Sequence, residues 1–107
     1  MVETQQFSFQ LILHSGNARS TAYEALASYK AQDKVNGALK LEEAKKELIE
    51  AQKLHAELLR KMANEEDLDL DLLLIHAEDH ISSSAVAVEM TSEMIELYQK
   101  LEEIKQC

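Results

Sequence analysis

Apolar positions recur along most of the chain at alternating spacings of three and four residues, which is the repeat of one face of an α-helix. The first such stretch predicts a helix over about residues 4–29. Gly16 lies in the middle of it and should cost about 1 kcal/mol relative to alanine, so we expect a neighbouring helix to approach closely there. The predicted inward row of this helix is Phe9, Leu13, Gly16, Ser20, Tyr23 and Ala27.

A second helix is predicted over about residues 34–63, after a short turn at residues 31–33 in which Asp33 is the expected N-cap. Charged residues cover its outer faces, which we interpret as solvated. His55 stands out because it is an imidazole on the inward side. The predicted inward row is Leu41, Ala44, Leu48, Ala51, His55, Leu58 and Met62.

The third predicted helix follows an acidic connection at residues 64–69, is capped by Asp67 or Asp69, and ends near Lys105. Its charged stripe is narrow, and two neighbouring helices cannot cover so wide an apolar arc. We therefore expect it to pack against other copies of the chain as well. One predicted buried row is Leu73, Ala77, His80, Ser84, Ala87, Thr91, Met94, Tyr98 and Leu101, and the other is Ile81, Ala85, Val88 and Ile95.

Composition supports an all-α chain, since 107 residues include no proline and only two glycines. Short connections predict an antiparallel up-down-up three-helix bundle forming a single domain, residues 1–107.

A net charge of −9 argues against nucleic-acid binding and suits either docking on basic partner surfaces or solubility alone. The amino terminus lacks a signal sequence and no apolar run is long enough to span a bilayer, so a cytoplasmic location is expected. The lone cysteine, Cys107, excludes an internal disulfide.

A polar cluster interrupts the apolar start of the third helix. His76, Asp79 and His80 are spaced three and four apart and share one face, whereas Glu78 is rotated away. Each polar group carries a desolvation cost unless something satisfies it. The spacing fits histidines satisfied within a core or interface, a site for Zn²⁺ or another transition metal, or a chemically active site. Asp79 is offset by about 100° from His80 around the helix axis. The local pattern therefore does not decide among these three kinds of site.

Residues 74–80, Leu-Ile-His-Ala-Glu-Asp-His, resemble the active-site helix of the enzyme IIA subunits of the lactose/cellobiose (also N,N'-diacetylchitobiose) class of bacterial sugar phosphotransferase systems. Residues 16–20, Gly-Asn-Ala-Arg-Ser, and the order of the three helices extend the resemblance over nearly the whole chain. The resemblance implies a phosphocarrier in sugar uptake. His76 would accept a phosphoryl group from the histidine phosphocarrier protein and pass it to the IIB component, which phosphorylates a lactose/cellobiose/chitobiose-type sugar. The membrane IIC component would be met only indirectly.

The resemblance also implies a homotrimer, because family members assemble as trimers around a central axis. Three Asp79 carboxylates converging on such an axis would repel unless they were protonated or bridged by a cation. Mg²⁺, a hard cation that takes oxygen ligands, is the expected bridge. The row expected to face the axis or the subunit boundary is Leu72, His76, Asp79, Ser83, Val86 and Met90.

Several polar side chains are candidates to support the phosphoryl group: His80, His55, Ser83, Ser84 and Gln52. Arg19 is interpreted either as an ordinary surface ion-pair residue or as a group near the phosphoryl site or an interface.

Some positions depart from the family pattern. Glu78 replaces the usual glutamine, and Gln52 and His55 occupy the places of a family His and Gln in exchanged order. Negative charge from Glu78 near the phosphoryl group is expected to slow transfer or alter partner choice. The alternative function is a non-catalytic helical oligomer or metal-binding adaptor bundle. In that case His76 should be walled in by side chains, whereas a phosphocarrier must leave one of its ring nitrogens open.

Overall fold

The structure, a computed structural model, describes residues 2–64 and 70–106 and contains three helices within them. These are α1, Val2–Lys30, α2, Lys34–Ala63, and α3, Leu72–Gln106. They form an elongated bundle of 60 × 20 × 18 Å in which α1 packs extensively against both other helices, while α2 and α3 contact each other over a smaller area. The described ranges contain no β-strand. The predicted all-α three-helix bundle is confirmed.

The turn between α1 and α2 is formed as the sequence predicted. Gln32 adopts a left-handed conformation with φ 67°, and the carboxylate of Asp33 accepts a hydrogen bond of 3.3 Å from the backbone N–H of Asn36. Asp33 is thereby confirmed as the N-cap of α2. The tight approach lies at Gly37, where an added Cβ would overlap the ring of Tyr29. A neighbouring helix was expected to approach closely at Gly16, and within one chain this was wrong. A Cβ added at Gly16 meets no described atom within 4 Å.

The predicted inward row of α1 was also wrong. Phe9 and Leu13 are 61% and 52% exposed, and Tyr23 is exposed as well. The helix is rotated so that small side chains face its neighbours, which lets three backbones approach closely, and the bulkier side chains are left outside. The observed buried row is Thr4, Ser8, Leu11, Ser15, Ala18, Ala22 and Ala25.

The predicted row of α2 is largely confirmed, with Leu41 and His55 half-buried and Met62 exposed. The fully buried positions of that row are Ala44, Leu48, Ala51 and Leu58. Together with residues of α1 and α3 they build two core clusters along the bundle. The cluster nearest the start of α3 comprises Leu11, Ala51, Leu58, Leu74, Ala77 and Ile81.

Helix α3 begins later than predicted. The carboxylate of Asp71 accepts a 2.9 Å hydrogen bond from the backbone N–H of Leu74 and acts as the cap. The caps predicted at Asp67 or Asp69 lie outside the described residues, as does most of the acidic connection. The buried line of α3 runs between the two predicted rows and takes members from both: Leu74, Ala77, Ile81, Ser84, Val88, Thr91 and Ile95.

A broad apolar surface remains exposed on the outer side of α3. Leu72 is 80% exposed, Val86 58% and Met90 50%, while Met94, Tyr98 and Leu101 of one predicted buried row are also exposed. Within the described ranges, no helix combines the length and apolar content that crossing a membrane requires. A single chain thus buries its small residues and leaves many of its large apolar side chains in water.

Candidate functional site

Two histidines meet on the second and third turns of α3. The Nε2 atoms of His76 and His80 are 3.1 Å apart, and the rings are nearly perpendicular with centroids 4.4 Å apart. The contact follows from their spacing, because residues four apart are neighbours on a helix surface. His76 is exposed, whereas His80 is half-buried. The predicted pair is therefore brought together, with His76 on the solvent side.

The environment of His80 determines which of the two Nε2 atoms carries a hydrogen. Its Nδ1 is buried and has no hydrogen-bond partner among the described residues. A neutral imidazole carries one proton, which on Nδ1 would meet no described acceptor but on Nε2 faces the ring nitrogen of His76. The proton of His80 is therefore assigned to Nε2, from which it donates to Nε2 of His76. This assignment leaves His76 Nε2 with its lone pair, the form of imidazole that acts as a nucleophile near pH 7.

Asp79 and Ser83 lie on the same side of α3. Asp79 is exposed and pairs with no described residue. The hydroxyl of Ser83 donates a 3.2 Å hydrogen bond to the carbonyl of His80, and its side chain lines a hollow together with Arg19 and Met90. Residues 2–64 and 70–106 contain no cluster of three His, Cys, Asp or Glu side chains able to hold a metal ion. The transition-metal interpretation thus lacks a third ligand within the described part of one chain.

His55 and Glu78 form a hydrogen-bonded pair that the sequence did not predict. Nε2 of His55 lies 2.8 Å and 2.9 Å from the two carboxylate oxygens of Glu78. A carboxylate only accepts, so this nitrogen carries the hydrogen. The pair directs His55 toward Glu78 rather than toward His76, and it turns the negative charge of Glu78 toward α2. Two of the three residues that depart from the family pattern, His55 and Glu78, are therefore partners of each other.

The remaining predicted support residues are placed elsewhere. Gln52 is exposed and lines a hollow between α2 and α3 with Val88 and Glu89, and no described contact joins it to His76. Ser84 is buried and donates a 2.8 Å hydrogen bond to the carbonyl of Ser15, so it joins α3 to α1 rather than facing a phosphoryl group. Of the support set, His80 is the residue that a described contact joins to His76.

Arg19 is exposed and lies over the ring of Tyr23, with 5.7 Å between its guanidinium carbon and the ring centroid. No described residue forms an ion pair with it.

Sequence reasoning also missed His14, whose Nδ1 pairs with Glu47 at 2.8 Å between α1 and α2. The sequence pattern gave little indication of this contact, since the two residues are 33 positions apart and neither lies on a predicted inward row.

Comparison with known proteins agrees with this architecture. The family described as "PTS system, Lactose/Cellobiose specific IIA subunit" matches residues 6–99. The lichenan-specific phosphotransferase enzyme IIA component of Bacillus subtilis is 41% identical over 101 residues, covering 94% of this chain and 92% of that protein. The crystal structure of the cellobiose-specific enzyme IIA from Bacillus anthracis superimposes with a TM-score of 0.90 at 40% identity, covering 96% and 94% of the two chains.

A third relative has been solved in a complex. The IIA(Chitobiose) chain of the IIA(Chitobiose)–HPr complex of Escherichia coli matches with a TM-score of 0.78 at 33% identity, covering 92% of this chain and 96% of that one. The family match spans far more than half of the sequence, and the relatives are covered almost end to end. This chain therefore belongs to the lactose/cellobiose-specific IIA family of the sugar phosphotransferase system and is a transfer component of that system.

Proposed function

We propose that His76 is the residue of this IIA component that carries the phosphoryl group during sugar uptake. The observation that supports it is the exposed His76 ring whose Nε2 keeps a lone pair because His80 holds the neighbouring proton. Within the chain the His76 ring is open to solvent, as a carrier requires. Membership of the IIA family favours the carrier over the non-catalytic bundle.

The donor is the histidine phosphocarrier protein, in line with the relative solved in complex with HPr. In the transfer step a bond forms between His76 Nε2 and phosphorus while the nitrogen–phosphorus bond of the donor breaks, and the donor nitrogen keeps the electron pair. Positioning and stabilisation of charge on the phosphoryl oxygens supply most of the catalysis in such a step. The Nε2–H of His80 is freed when His76 Nε2 becomes bonded, and it then donates to a phosphoryl oxygen.

The acceptor is the cysteine-bearing IIB component, which passes the group to a lactose/cellobiose/chitobiose-type sugar during transport through the membrane IIC component. Both encounters of the carrier must be transient, because a tightly bound partner would block the next transfer. The net charge of −9 suits brief docking on basic partner surfaces. Cations on those partners would help to stabilise the phosphoryl group.

A homotrimer is the proposed assembly. The exposed Leu72, Val86 and Met90 on α3 and the exposed Phe9 and Leu13 on α1 form more apolar surface than a single chain needs to leave in water. Asp79 belongs to the same exposed side of α3 and pairs with no described residue. In a trimer three Asp79 carboxylates would hold a Mg²⁺ ion, which would neutralise their repulsion and serve assembly rather than chemistry.

The proposal is tested by following the phosphoryl group through both steps. Protein labelled from phosphoenolpyruvate through the first enzyme and the histidine phosphocarrier should lose its label when the IIB component is added. Label that enters but is never discharged to IIB would contradict the carrier role, as would failure of the wild-type chain to accept any label.

A further inference from the structure

The hydrogen bond between His55 and Glu78 links α2 to the part of α3 that carries His76. Glu78 lies two residues after His76 and two before His80, and both of its carboxylate oxygens are within 2.9 Å of His55 Nε2. A hydrogen bond to a charged group is stronger than one between neutral groups. The start of α3 therefore has a directional contact to α2 in addition to its apolar packing.

The packing around this pair combines small and large side chains. Ala77 is fully buried in the same core cluster as Ala51 of α2, and these residues lie next to Glu78 and one turn from His55, respectively. The larger members of that cluster near the pair are Leu58, Leu74 and Ile81. Contacts between α2 and α3 are the sparsest of the three helix pairs. The pair therefore adds a directional contact between the two helices that touch each other least.

Rotation of α3 matters because His76 is close to its beginning, four residues after Leu72. A helix with its side chains has a radius of about 5–6 Å, so a rotation of about 10° moves a side-chain tip by about 1 Å. A displacement of about 1 Å of a reacting group can slow a transfer reaction by about a hundredfold. The orientation of the first turns of α3 thus determines the direction from which His76 Nε2 approaches the phosphorus atom of a donor.

We propose that Glu78 and His55 are positioning residues for phosphoryl transfer: the hydrogen bond between them fixes the orientation of the first turns of α3 and thereby the direction in which His76 faces. This inference rests on the proposed role of His76. It assigns the two residues an effect through orientation and not through contact with the phosphoryl group. It also accounts for a carboxylate two residues from His76, since both of its oxygens face His55 on the α2 side.

The test separates the hydrogen bond from the charge. Glu78→Gln and Glu78→Ala both remove the negative charge, but only glutamine keeps an acceptor for His55 Nε2–H. We expect Glu78→Ala to lower the transfer rate at saturating donor about tenfold with little change in the donor concentration at half-saturation, and Glu78→Gln to stay within about threefold of wild type. His55→Ala should match Glu78→Ala, and the double alanine variant should be no slower than either single variant. Glu96→Gln, an exposed charge removal farther along α3, is the matched control.

Equal slowing by Glu78→Gln and Glu78→Ala would overturn the inference, because the charge and not the bond would then matter. Unchanged rates in both would overturn it as well. Amide hydrogen exchange of residues 75–80 in the unphosphorylated protein gives a second readout, with several-fold faster exchange expected in Glu78→Ala and not in Glu78→Gln. A wild-type chain that accepts no phosphoryl group would refute the proposed function, whereas the exchange measurement would still decide whether the pair orders this segment.

Discussion

Nε2 of His80 lies 3.1 Å from Nε2 of His76, and the other ring nitrogen of His80 is buried without a described partner. In the proposed transfer, His80 would donate to the nucleophile beforehand and to a phosphoryl oxygen afterwards. The two histidines, one helical turn apart, would then take different roles: the half-buried ring would be the donor, and the exposed ring would carry the free electron pair.

Replacing His80 should therefore slow the transfer without preventing it. We expect His80→Ala to lower the rate of phosphoryl acceptance about a hundredfold, because one preorganised donor to the developing charge is lost. His80→Gln offers an amide N–H and should recover part of that loss. Rapid-quench measurement of labelled protein checks both. Acceptance at the wild-type rate in His80→Ala would show that His80 gives no support to the reaction.

The two glycines should respond oppositely to substitution by alanine. Gly16→Ala should raise the free energy of unfolding by about 1 kcal/mol, since alanine is favoured in a helix and the added Cβ meets no described atom. Gly37→Ala should lower it by about 1–3 kcal/mol, because the Cβ would overlap the ring of Tyr29. Urea unfolding followed by circular dichroism measures both. Destabilisation by Gly16→Ala would indicate that another copy of the chain packs against that position.

The exposed apolar side of α3 should be the surface that brings copies together. Met90→Lys is expected to shift the protein from trimer toward monomer, because a charge would be buried at the interface. Leu39→Lys, at another exposed apolar position on α2, should leave the assembly unchanged. Sedimentation velocity distinguishes the species. A wild-type protein that sediments as a monomer, or equal effects of the two lysines, would refute this assignment.

Asp79 should connect assembly to divalent cations. Removal of Mg²⁺ by a chelator is expected to lower the melting temperature of the wild-type trimer, because three unbridged carboxylates repel one another. Asp79→Asn should melt at the same temperature with and without chelator. Differential scanning calorimetry at matched ionic strength provides the measurement. A wild-type protein indifferent to the chelator would argue against a cation at Asp79.

The sequence allowed the helices and the polar cluster to be predicted because both depend on local spacing. Asp33, the row of α2 and the meeting of His76 with His80 follow from intervals of three and four residues. The rotation of α1 could not be predicted, because hydrophobicity favours Phe9 and Leu13 as core residues while the bundle selects small side chains at Ala18 and its row.

The pairing of His55 with Glu78 could not be predicted from the sequence either. The two residues are 23 positions apart on different helices, and their contact depends on the register between α2 and α3. Composition and periodicity specify which face of a helix is apolar, but they do not specify how far one helix slides along another. Polar contacts between helices therefore had to be read from the structure.

Intact-mass spectrometry of wild type and His76→Ala tests the central claim most directly, after incubation with phosphoenolpyruvate, the first enzyme of the system and the histidine phosphocarrier. A single phosphoryl group that is lost in acid should appear on the wild type and not on His76→Ala, because His76 Nε2 is the proposed nucleophile. A phosphoryl group retained by His76→Ala would contradict the assignment and move the site to another histidine. No gain on the wild type, with the donor demonstrably phosphorylated, would contradict the carrier function itself.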